Sequence, residues 1–306
     1  MSADWRPLYP FAAHFLPTSS GARMHYLDEG PDSSSNAQPL LMVHGNPTWS
    51  FYWRNLVKGL SGTHRTIVPD HVGCGLSDKP GDDKYEYVLE RRVKDLEALL
   101  DHLGITKDIT LVLHDWGGMI GMAFATKHPE RVKRLVILNT AGFGLPPGRR
   151  LPWQISLVRH LPFFSLPVRG LNAFSRGANI TCSTKPGRMT DTVKAAYLAP
   201  YDSWEHRIAV QRFVEDIPLK PGDRSWSIVK EVSDRLEQFS KVPLLICWGG
   251  KDFVFDDHFL AEWRRRLPTA EVHTFPEAGH YVLEDAHEEI LPLVRDFLTR
   301  NPLSKA

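Results

Sequence analysis

The sequence predicts a doubly wound α/β fold that is interrupted once by a helical insertion. Two observations carry the prediction. Short apolar runs bounded by turn residues alternate with stretches in which apolar residues recur every three or four positions, and strands that alternate with helices are typical of a doubly wound sheet. One stretch of about 100 residues between two of the runs lacks this alternation, and it is much longer than an ordinary connection.

Five apolar runs predict the strands of a mostly parallel sheet. They do not alternate with polar residues, which is typical of strands buried on both faces. The runs lie at residues 40–43, 66–68, 109–113, 135–138 and 244–247.

Two amphipathic stretches predict helices that pack on this sheet. Between positions 87 and 103, the residues Leu89, Val93, Leu96 and Leu100 step by four and three, so they fall on one helical face. Positions 282–298 show a similar stripe.

The long interruption predicts a helical cap inserted into the sheet domain. It is rich in proline, aromatic and apolar residues, and positions 193–198 and 208–213 are amphipathic. We expect the first part of the core at 1–146, the cap at 147–220 and the second part of the core at 221–306. An apolar cap suits a hydrophobic small-molecule substrate.

The composition excludes several classes of protein. The 306 residues include 37 basic and 36 acidic side chains and are 42% hydrophobic, which is typical of a globular protein and gives no general attraction to nucleic acid. No apolar run approaches the length of a membrane span, and residues 1–7 lack the pattern of a secretory signal. We therefore expect a cytoplasmic protein without a transmembrane segment.

The sequence offers no pattern for a cofactor or a metal ion. Cys74, Cys182 and Cys247 are too few and too scattered for a disulfide framework or a four-ligand zinc site, and they fit a reducing compartment. Cys74 lies between two glycines, which favours a turn residue over a reactive thiol. Neither a phosphate loop nor a dinucleotide fingerprint is present.

The strongest catalytic signal is the motif HDWGG at positions 114–118, directly after an apolar run. In α/β-hydrolases a nucleophile occupies such a turn between strand and helix, so Asp115 is the candidate nucleophile. The alternative is that Asp115 only caps a helix. A serine esterase is disfavoured, because no G-x-S-x-G motif occurs and Leu113 stands where serine hydrolases carry a small residue.

Two further residues complete a predicted triad. Asp252 follows the apolar run at 244–247, and His280 precedes the last predicted helix. Nucleophile, acid and histidine in this order are typical of the hydrolase fold. Asn139 follows the preceding strand, where some relatives carry the acid, and its uncharged amide favours Asp252 for that role.

The motif HGNPT at positions 44–48 supplies candidate hydrogen-bond donors. The backbone N–H beyond Gly45 and that of Trp116 are expected to form an oxyanion hole, and Pro47 restricts Asn46 to an extended conformation. The amide of Asn46 and the indole N–H of Trp116 are expected to converge on an anionic leaving group. A plain turn role for Asn46 is the alternative.

The chain resembles the haloalkane dehalogenase family of α/β-hydrolases over nearly its whole length. The motifs that carry this resemblance are HGNPT at 44–48, DHVGCGLSDKP at 70–80 and HDWGG at 114–118. Segments 171–174, 196–204 and 216–219 resemble one subgroup, which includes the β-lactone decarboxylases of bacterial long-chain olefin biosynthesis.

The resemblance implies an α/β-hydrolase fold with Asp115 as nucleophile, His280 as histidine and Asp252 as acid. It also implies that Asn46 and Trp116 contact the leaving group. The implied reaction converts cis-3,4-dialkyl β-lactones to cis-alkenes and CO2 without a cofactor. An assembly with the upstream β-lactone synthetase and reductase is implied as well.

Three alternatives stand beside this reaction. A haloalkane dehalogenase would use the same five residues. An epoxide hydrolase would need a cap tyrosine, Tyr197 or Tyr201, as a donor, and Asn46 argues against it. A non-catalytic ligand sensor is disfavoured because the whole triad is retained. The sequence leaves open which lactone carbon Asp115 attacks and whether His280 acts as base, acid or orienting group.

Overall fold

The computed structural model describes residues 4–31 and 38–303; the first three residues of the N-terminal segment considered above lie outside this range. Its centre is an eight-stranded sheet of order β1-β2-β4-β3-β5-β6-β7-β8. The strands are β1 (His14–Pro17), β2 (Arg23–Glu29), β3 (Pro39–Val43), β4 (Arg65–Pro69), β5 (Ile109–Asp115), β6 (Val132–Thr140), β7 (Leu244–Gly249) and β8 (Glu271–Phe275). Strands β3 to β8 run parallel, while β1 and β2 add an antiparallel edge.

All five predicted strands are present, as β3 to β7, and this confirms the doubly wound sheet. No apolar run in the sequence predicts β1, β2 or β8. These strands lie at or beside the sheet edges and mix polar with apolar residues, so they lack the continuous apolar run of a strand buried on both faces.

Helices cover both faces of the sheet. They are α1 (Arg54–Leu60), α2 (Leu89–His102), α3 (Trp116–Lys127), α4 (Trp153–His160), α5 (Ala173–Thr181), α6 (Asp191–Leu198), α7 (Ile208–Glu215), α8 (Trp226–Arg235), α9 (Asp257–Arg266) and α10 (Val282–Arg300). Buried residues of α1 and α10 share one apolar cluster, and those of α2, α3, α8 and α9 share another. Successive side chains of β5 point to opposite faces of the sheet. Leu111 and Leu113 belong to the cluster of α2, α3, α8 and α9, and Val112 belongs to the cluster of α1 and α10.

The cap lies between β6 and α8 and contains the helices α4 to α7. The amphipathic stretches at 193–198 and 208–213 form α6 and α7, as predicted. The boundaries 147 and 220 stay a prediction.

The parallel strands bring three loops to one edge of the sheet. β5 lies between β3 and β6, and β6 pairs with β7. Because the carboxyl ends of parallel strands meet at the same edge, the loops that follow β3, β5 and β7 are neighbours there. These loops carry Asn46, Asp115 and Asp252.

Candidate active site

Asp115 occupies a sharp turn between β5 and α3. Its backbone has φ 51° and ψ −128°, a conformation that residues other than glycine rarely adopt and that is often found at functional sites. The following helix packs closely, because a Cβ at Gly117 would overlap the carbonyl oxygen of Val43. One turn later, Gly121 leaves room for the side chain of Leu113. This explains how the elbow accepts a leucine where serine hydrolases have a small residue.

The neighbouring loop holds one oxygen of the Asp115 carboxylate. The backbone N–H of Asn46 donates to Asp115 Oδ1 at 2.5 Å, and the backbone N–H of Trp116 acts on the same carboxylate. A Cβ at Gly45 would overlap this carboxylate, so the approach of the two loops needs a glycine there. The two predicted N–H donors therefore lie together, and they contact Asp115 itself.

His280 faces the other oxygen of Asp115. Its Nε2 lies 3.6 Å from Asp115 Oδ2, and its Nδ1 lies 2.8 Å from Asp252 Oδ2. Asp252 is fixed in turn, because its Oδ1 accepts the backbone N–H groups of Val254 and Phe255 at 2.7 and 3.0 Å. The structure thus brings all three predicted triad residues together in the geometry of nucleophile, histidine and orienting acid.

Burial and the mutual charges shift the pKa values of the pair. Burial raises the pKa of the Asp115 carboxyl above its ordinary value, and His280 with the N–H groups of Asn46 and Trp116 offsets only part of this rise. Burial alone would lower the pKa of His280, but Asp252 and Asp115 outweigh it, so the pKa of His280 is raised. A raised pKa favours an imidazolium ring facing Asp115.

The side chains of Asn46 and Trp116 both line the cavity above Asp115. Asn46 Nδ2 donates to the carbonyl oxygen of Val210 in α7 at 3.0 Å. An amide has two N–H donors, so this bond to the cap engages one and the second is available for a ligand. The Trp116 ring packs on Phe213 of α7, with the ring centroids 5.3 Å apart.

The cavity has a volume of about 400 Å³ and lies between the sheet and the cap. Its polar groups come from seven lining residues: Asn46, Asp115, Trp116, Arg150, Gln154, Thr181 and His280. The rest of the lining is mainly apolar and includes Met119, Phe143, Leu151, Ile155, Phe174, Val214, Ile217 and Phe255. Such a lining suits a hydrophobic substrate with one reactive group.

Other residues considered from the sequence lie outside this arrangement. Asn139 bonds both the N–H and the carbonyl oxygen of Gly249, so it joins β6 to β7. Burial raises the pKa of the Cys74 thiol to about 12, which makes it unreactive.

The two cap tyrosines bond to other parts of the protein. Tyr197 donates to Glu284 Oε1 at 2.5 Å and Tyr201 to the carbonyl oxygen of Thr48 at 3.4 Å. Both tyrosines are described, and neither lines the cavity, so the donor that an epoxide hydrolase needs is missing from these positions.

Asp285, a fully buried residue of α10, belongs to no motif that the sequence shows. Its carboxylate accepts the N–H of Gly279 at 2.8 Å, the hydroxyl of Ser183 at 2.6 Å and the N–H of Thr184 at 3.0 Å. It therefore fastens the loop that carries His280 to the segment between α5 and α6 of the cap. In the sequence, Asp285 looks like any acidic residue of an amphipathic helix.

The described residues contain neither a metal-binding cluster nor a membrane-spanning helix. Within residues 4–31 and 38–303, no group of His, Cys, Asp and Glu side chains is arranged to hold a metal ion. None of the helices in the same ranges is both long and apolar enough to cross a membrane.

The fold and this triad define an α/β-hydrolase. A family model described as the alpha/beta hydrolase fold matches residues 38–287, and the chain belongs to this family. Within it, the chain is 52% identical to the cis-3-alkyl-4-alkyloxetan-2-one decarboxylase of Shewanella oneidensis, over 95% of this chain and 90% of that protein. A protein of the same name from Xanthomonas campestris is 51% identical over 97% of this chain and 99% of its own.

Haloalkane dehalogenases are more distant relatives. That of Mycolicibacterium paratuberculosis is 31% identical over 92% of this chain and 91% of its own. The crystal structure of the haloalkane dehalogenase DatA from Agrobacterium tumefaciens has the same fold, with a TM-score of 0.83 at 23% identity over 95% of this chain and 97% of that chain. These findings confirm the predicted fold and the resemblance to the β-lactone decarboxylase subgroup.

Proposed function

We propose that this protein converts cis-3-alkyl-4-alkyloxetan-2-ones, which are β-lactones, to cis-alkenes and CO2. The observation that carries the proposal is the identity of 51–52% to two decarboxylases of that substrate over nearly the full chain. An apolar cavity that ends on the Asp115 carboxylate supports it. We further propose the roles of five residues: Asp115 as nucleophile, His280 and Asp252 as its partners, and Asn46 and Trp116 as donors to the leaving group.

The first step that we propose is attack of Asp115 Oδ2 on C4 of the lactone. The ring bond between C4 and oxygen breaks, and its electron pair stays on the oxygen, which becomes part of a free carboxylate. The second N–H of Asn46 and the indole N–H of Trp116 stabilise this carboxylate, because both line the cavity next to Asp115. Asp115 is then joined to C4 as an ester.

In the second step, the bond between C3 and the new carboxylate breaks and CO2 leaves. Its electron pair forms the C3–C4 double bond, and the bond between C4 and Asp115 breaks. The N–H groups of Asn46 and Trp116 that hold Asp115 stabilise the carboxylate that returns. Inversion at C4 followed by anti elimination gives the cis-alkene from the cis-lactone.

This route needs neither water nor a proton, so His280 does not have to act as a general base or a general acid. Its ring lies against Asp115 Oδ2 and is held by Asp252. We therefore assign to His280 an electrostatic and orienting role in the lactone reaction; Asp252 and Asp115 raise the pKa of its ring, which favours the protonated form.

Haloalkane dehalogenation is the second candidate. The pair of side-chain donors, Asn46 and Trp116, is the observation that favours it, since two such donors would hold a departing halide ion. Asp115 would form the same kind of alkyl ester, and His280 would activate a water molecule to hydrolyse it.

Parallel assays of a cis-3,4-dialkyl β-lactone and a 1-haloalkane test the proposal. We expect alkene from the lactone, measured by gas chromatography, at a far higher rate than halide from the haloalkane, measured by ion chromatography. Brisk halide release without any alkene would replace the decarboxylase with a dehalogenase.

Whether oxygen from water enters the Asp115 carboxylate tests the two-step route. After many turnovers of the lactone in water enriched in the heavy oxygen isotope, the peptide that contains Asp115 should stay unlabelled, because Asp115 leaves with its own two oxygens. A hydrolytic route through water attack on the ester would place label in Asp115, which mass spectrometry would detect.

We also propose a place in long-chain olefin biosynthesis and an assembly with the upstream β-lactone synthetase and reductase. Long-chain β-lactones are nearly insoluble, so direct transfer between enzymes favours the pathway. A cytoplasmic location is supported by the three cysteines, which are all free and buried. Co-purification from native extracts tests the assembly, and recovery of this protein alone would argue against it.

A further inference from the structure

Large apolar side chains are exposed on one part of the cap. Among the described residues, the five most exposed large apolar side chains all lie between positions 153 and 180, and each has more than three-fifths of its surface in contact with solvent. They are Trp153 (69%), Phe163 (62%), Leu166 (64%), Leu171 (70%) and Ile180 (76%). The next in order, Phe15, is 41% exposed. We call these five residues the cap patch; exposed apolar surface of this extent marks an interaction site.

The segments that carry the cap patch pack on one another. Helix α4 packs on the turn Pro162–Phe164, this turn packs on the next turn, Leu166–Gly170, and the latter packs on α5. The segments that carry the five side chains therefore form one continuous part of the cap.

The same part of the chain is strongly basic. Residues 141–190 contain seven Lys or Arg and no Asp or Glu, although the whole chain is nearly neutral, with 37 basic and 36 acidic residues. The seven are Arg149, Arg150, Arg159, Arg169, Arg176, Lys185 and Arg188.

Two of these seven basic side chains have no acidic partner among the described residues. Four of the seven side chains pair with acidic residues of other segments, and Arg169 lies over the ring of Trp204. Arg150 and Arg176 are exposed, and no acidic residue of the described chain pairs with them. The cap patch is thus accompanied by uncompensated positive charge.

Two residues of the cap patch, Trp153 and Ile180, lie on segments that line the active-site cavity. The exposed residues of the cavity lining lie at the start of α4, on α5 and in two loops, and these segments border the opening: Leu145, Arg150, Gln154, Ala173, Thr181 and Phe253. Trp153 is the residue next to Gln154. Ile180 lies on α5, the helix from which Ala173 and Gly177 reach the cavity.

We propose that the cap patch binds the surface of an anionic lipid bilayer and places the entrance of the cavity at the lipid–water boundary. Exposed tryptophan, phenylalanine, leucine and isoleucine side chains insert into the interface of a bilayer, and interspersed arginines bind anionic head groups. A protein partner would have to match five separate side chains in shape, whereas a fluid interface needs only apolar area and positive charge. The inference does not depend on the reaction at Asp115, because any lipid-dissolved substrate would enter by this route.

Flotation of the full-length protein with vesicles tests this inference. We expect binding to vesicles of mixed phosphatidylcholine and phosphatidylglycerol, weaker binding to phosphatidylcholine alone, and a decrease at high salt because salt screens the arginines. The double variant Trp153→Ser/Ile180→Ser and the variant Arg176→Glu should each reduce the bound fraction by roughly tenfold. Phe15→Ser on β1 and Arg264→Glu on α9 are matched controls, since both residues are exposed outside the cap, and they should bind like the unmodified protein.

A readout of activity separates this inference from the proposed function. Turnover of a short-chain, water-soluble β-lactone should be the same for Trp153→Ser/Ile180→Ser as for the unmodified protein, which also shows that the variant is folded. Absence of alkene from every form would refute the decarboxylase and leave the vesicle result intact.

The inference is overturned if the protein fails to float with anionic vesicles at low salt, or if the controls lose binding as the cap variants do. It is also overturned if light scattering shows that the cap variants turn an oligomer into a monomer without any vesicle binding, because the patch would then join copies of this chain.

Discussion

Asp115 Oδ1 accepts the backbone N–H of Asn46 at 2.5 Å, although the two residues are 69 positions apart in the chain. The contact leaves Oδ2 as the oxygen that faces His280, 3.6 Å away. One oxygen of the carboxylate is therefore held by backbone donors and the other is directed into the cavity. In the proposed reaction, this division would give the carboxylate one defined direction of attack and would stabilise it as a leaving group.

Replacement of Asp115 should remove activity and increase stability. The pKa of Asp115 is raised in the folded protein, so its contribution to stability is greatest at low pH and is lost as the pH rises through the folded-state value. At neutral pH the buried carboxylate therefore destabilises the fold. We expect Asp115→Asn to reduce turnover by roughly 10⁴-fold or more and to raise Tm by a few degrees at neutral pH.

Thermal unfolding at several pH values checks the predicted increase in the Tm of Asp115→Asn. The gain in Tm of Asp115→Asn should shrink toward acid pH, where the carboxyl of the unmodified protein takes up its proton. An equal or lower Tm at neutral pH would show that the hydrogen bonds of the carboxylate outweigh its burial.

Loss of Asp252 should lower the pKa of His280. The carboxylate of Asp252 accepts from His280 Nδ1 at 2.8 Å and raises the pKa of the ring against the effect of burial. We expect a lower His280 pKa in Asp252→Asn, together with a lower turnover number, because the ring also loses its fixed orientation. Titration of the imidazole signals by NMR measures the change; an unaltered pKa would assign the shift to Asp115 instead.

Removal of either leaving-group donor should slow the reaction without preventing folding. Each of the variants Asn46→Ala and Trp116→Phe removes one side-chain donor from the cavity, and the loss of one preorganised donor usually costs roughly 10²–10³ in turnover. Trp204→Phe is a matched control on the cap surface. Changes below about threefold in both cavity variants would place the leaving-group site elsewhere.

A methyl group at position 45 should disable the site. A Cβ on Gly45 would overlap the carboxylate of Asp115, so Gly45→Ala has to displace the nucleophile or the loop, and displacements of about 1 Å cost roughly 10²-fold in rate. Gly62→Ala is the control, since a Cβ at Gly62 has no atom within 4 Å. Equal kcat values for the two variants would contradict the close approach of the loops.

Asp285 is expected to act as a positioning residue for His280. Asp285→Ala leaves the N–H of Gly279 and the hydroxyl of Ser183 without their acceptor, so the loop of His280 loosens. We expect kcat to fall by roughly 10–100-fold, as for other residues that orient a reacting group, with little change in KM and with a lower Tm.

The control for this prediction lies on the same helix. Asp296 is exposed and, within residues 4–31 and 38–303, pairs only with Arg300 four residues later, so Asp296→Ala should leave both kcat and Tm unchanged. A change confined to KM in Asp285→Ala would assign the residue to the shape of the cap rather than to the histidine.

Local sequence patterns explain why much of the sheet and the turn at Asp115 could be predicted. A strand with apolar residues on both faces must lie inside a covered sheet, so the runs at 40–43 and 109–113 predicted β3 and β5. The motif HDWGG contains the small residues that a sharp strand-to-helix turn requires, so it identified Asp115. Strands β1, β2 and β8 mix polar and apolar residues near the sheet edges, and a local pattern of this kind does not separate them from loops.

The sequence by itself determined the apolar runs of the sheet, the small residues of the turn at Asp115 and the order in which Asp252 and His280 follow it. Only the tertiary structure decided how they meet, because contacts between distant segments depend on strand order and on close packing that no local pattern encodes. It placed the N–H of Asn46 on one oxygen of Asp115, turned Tyr197 and Tyr201 away from the cavity and buried Asp285 between the cap and the loop of His280. It also left Trp153 and Ile180 exposed to solvent on segments that line the cavity.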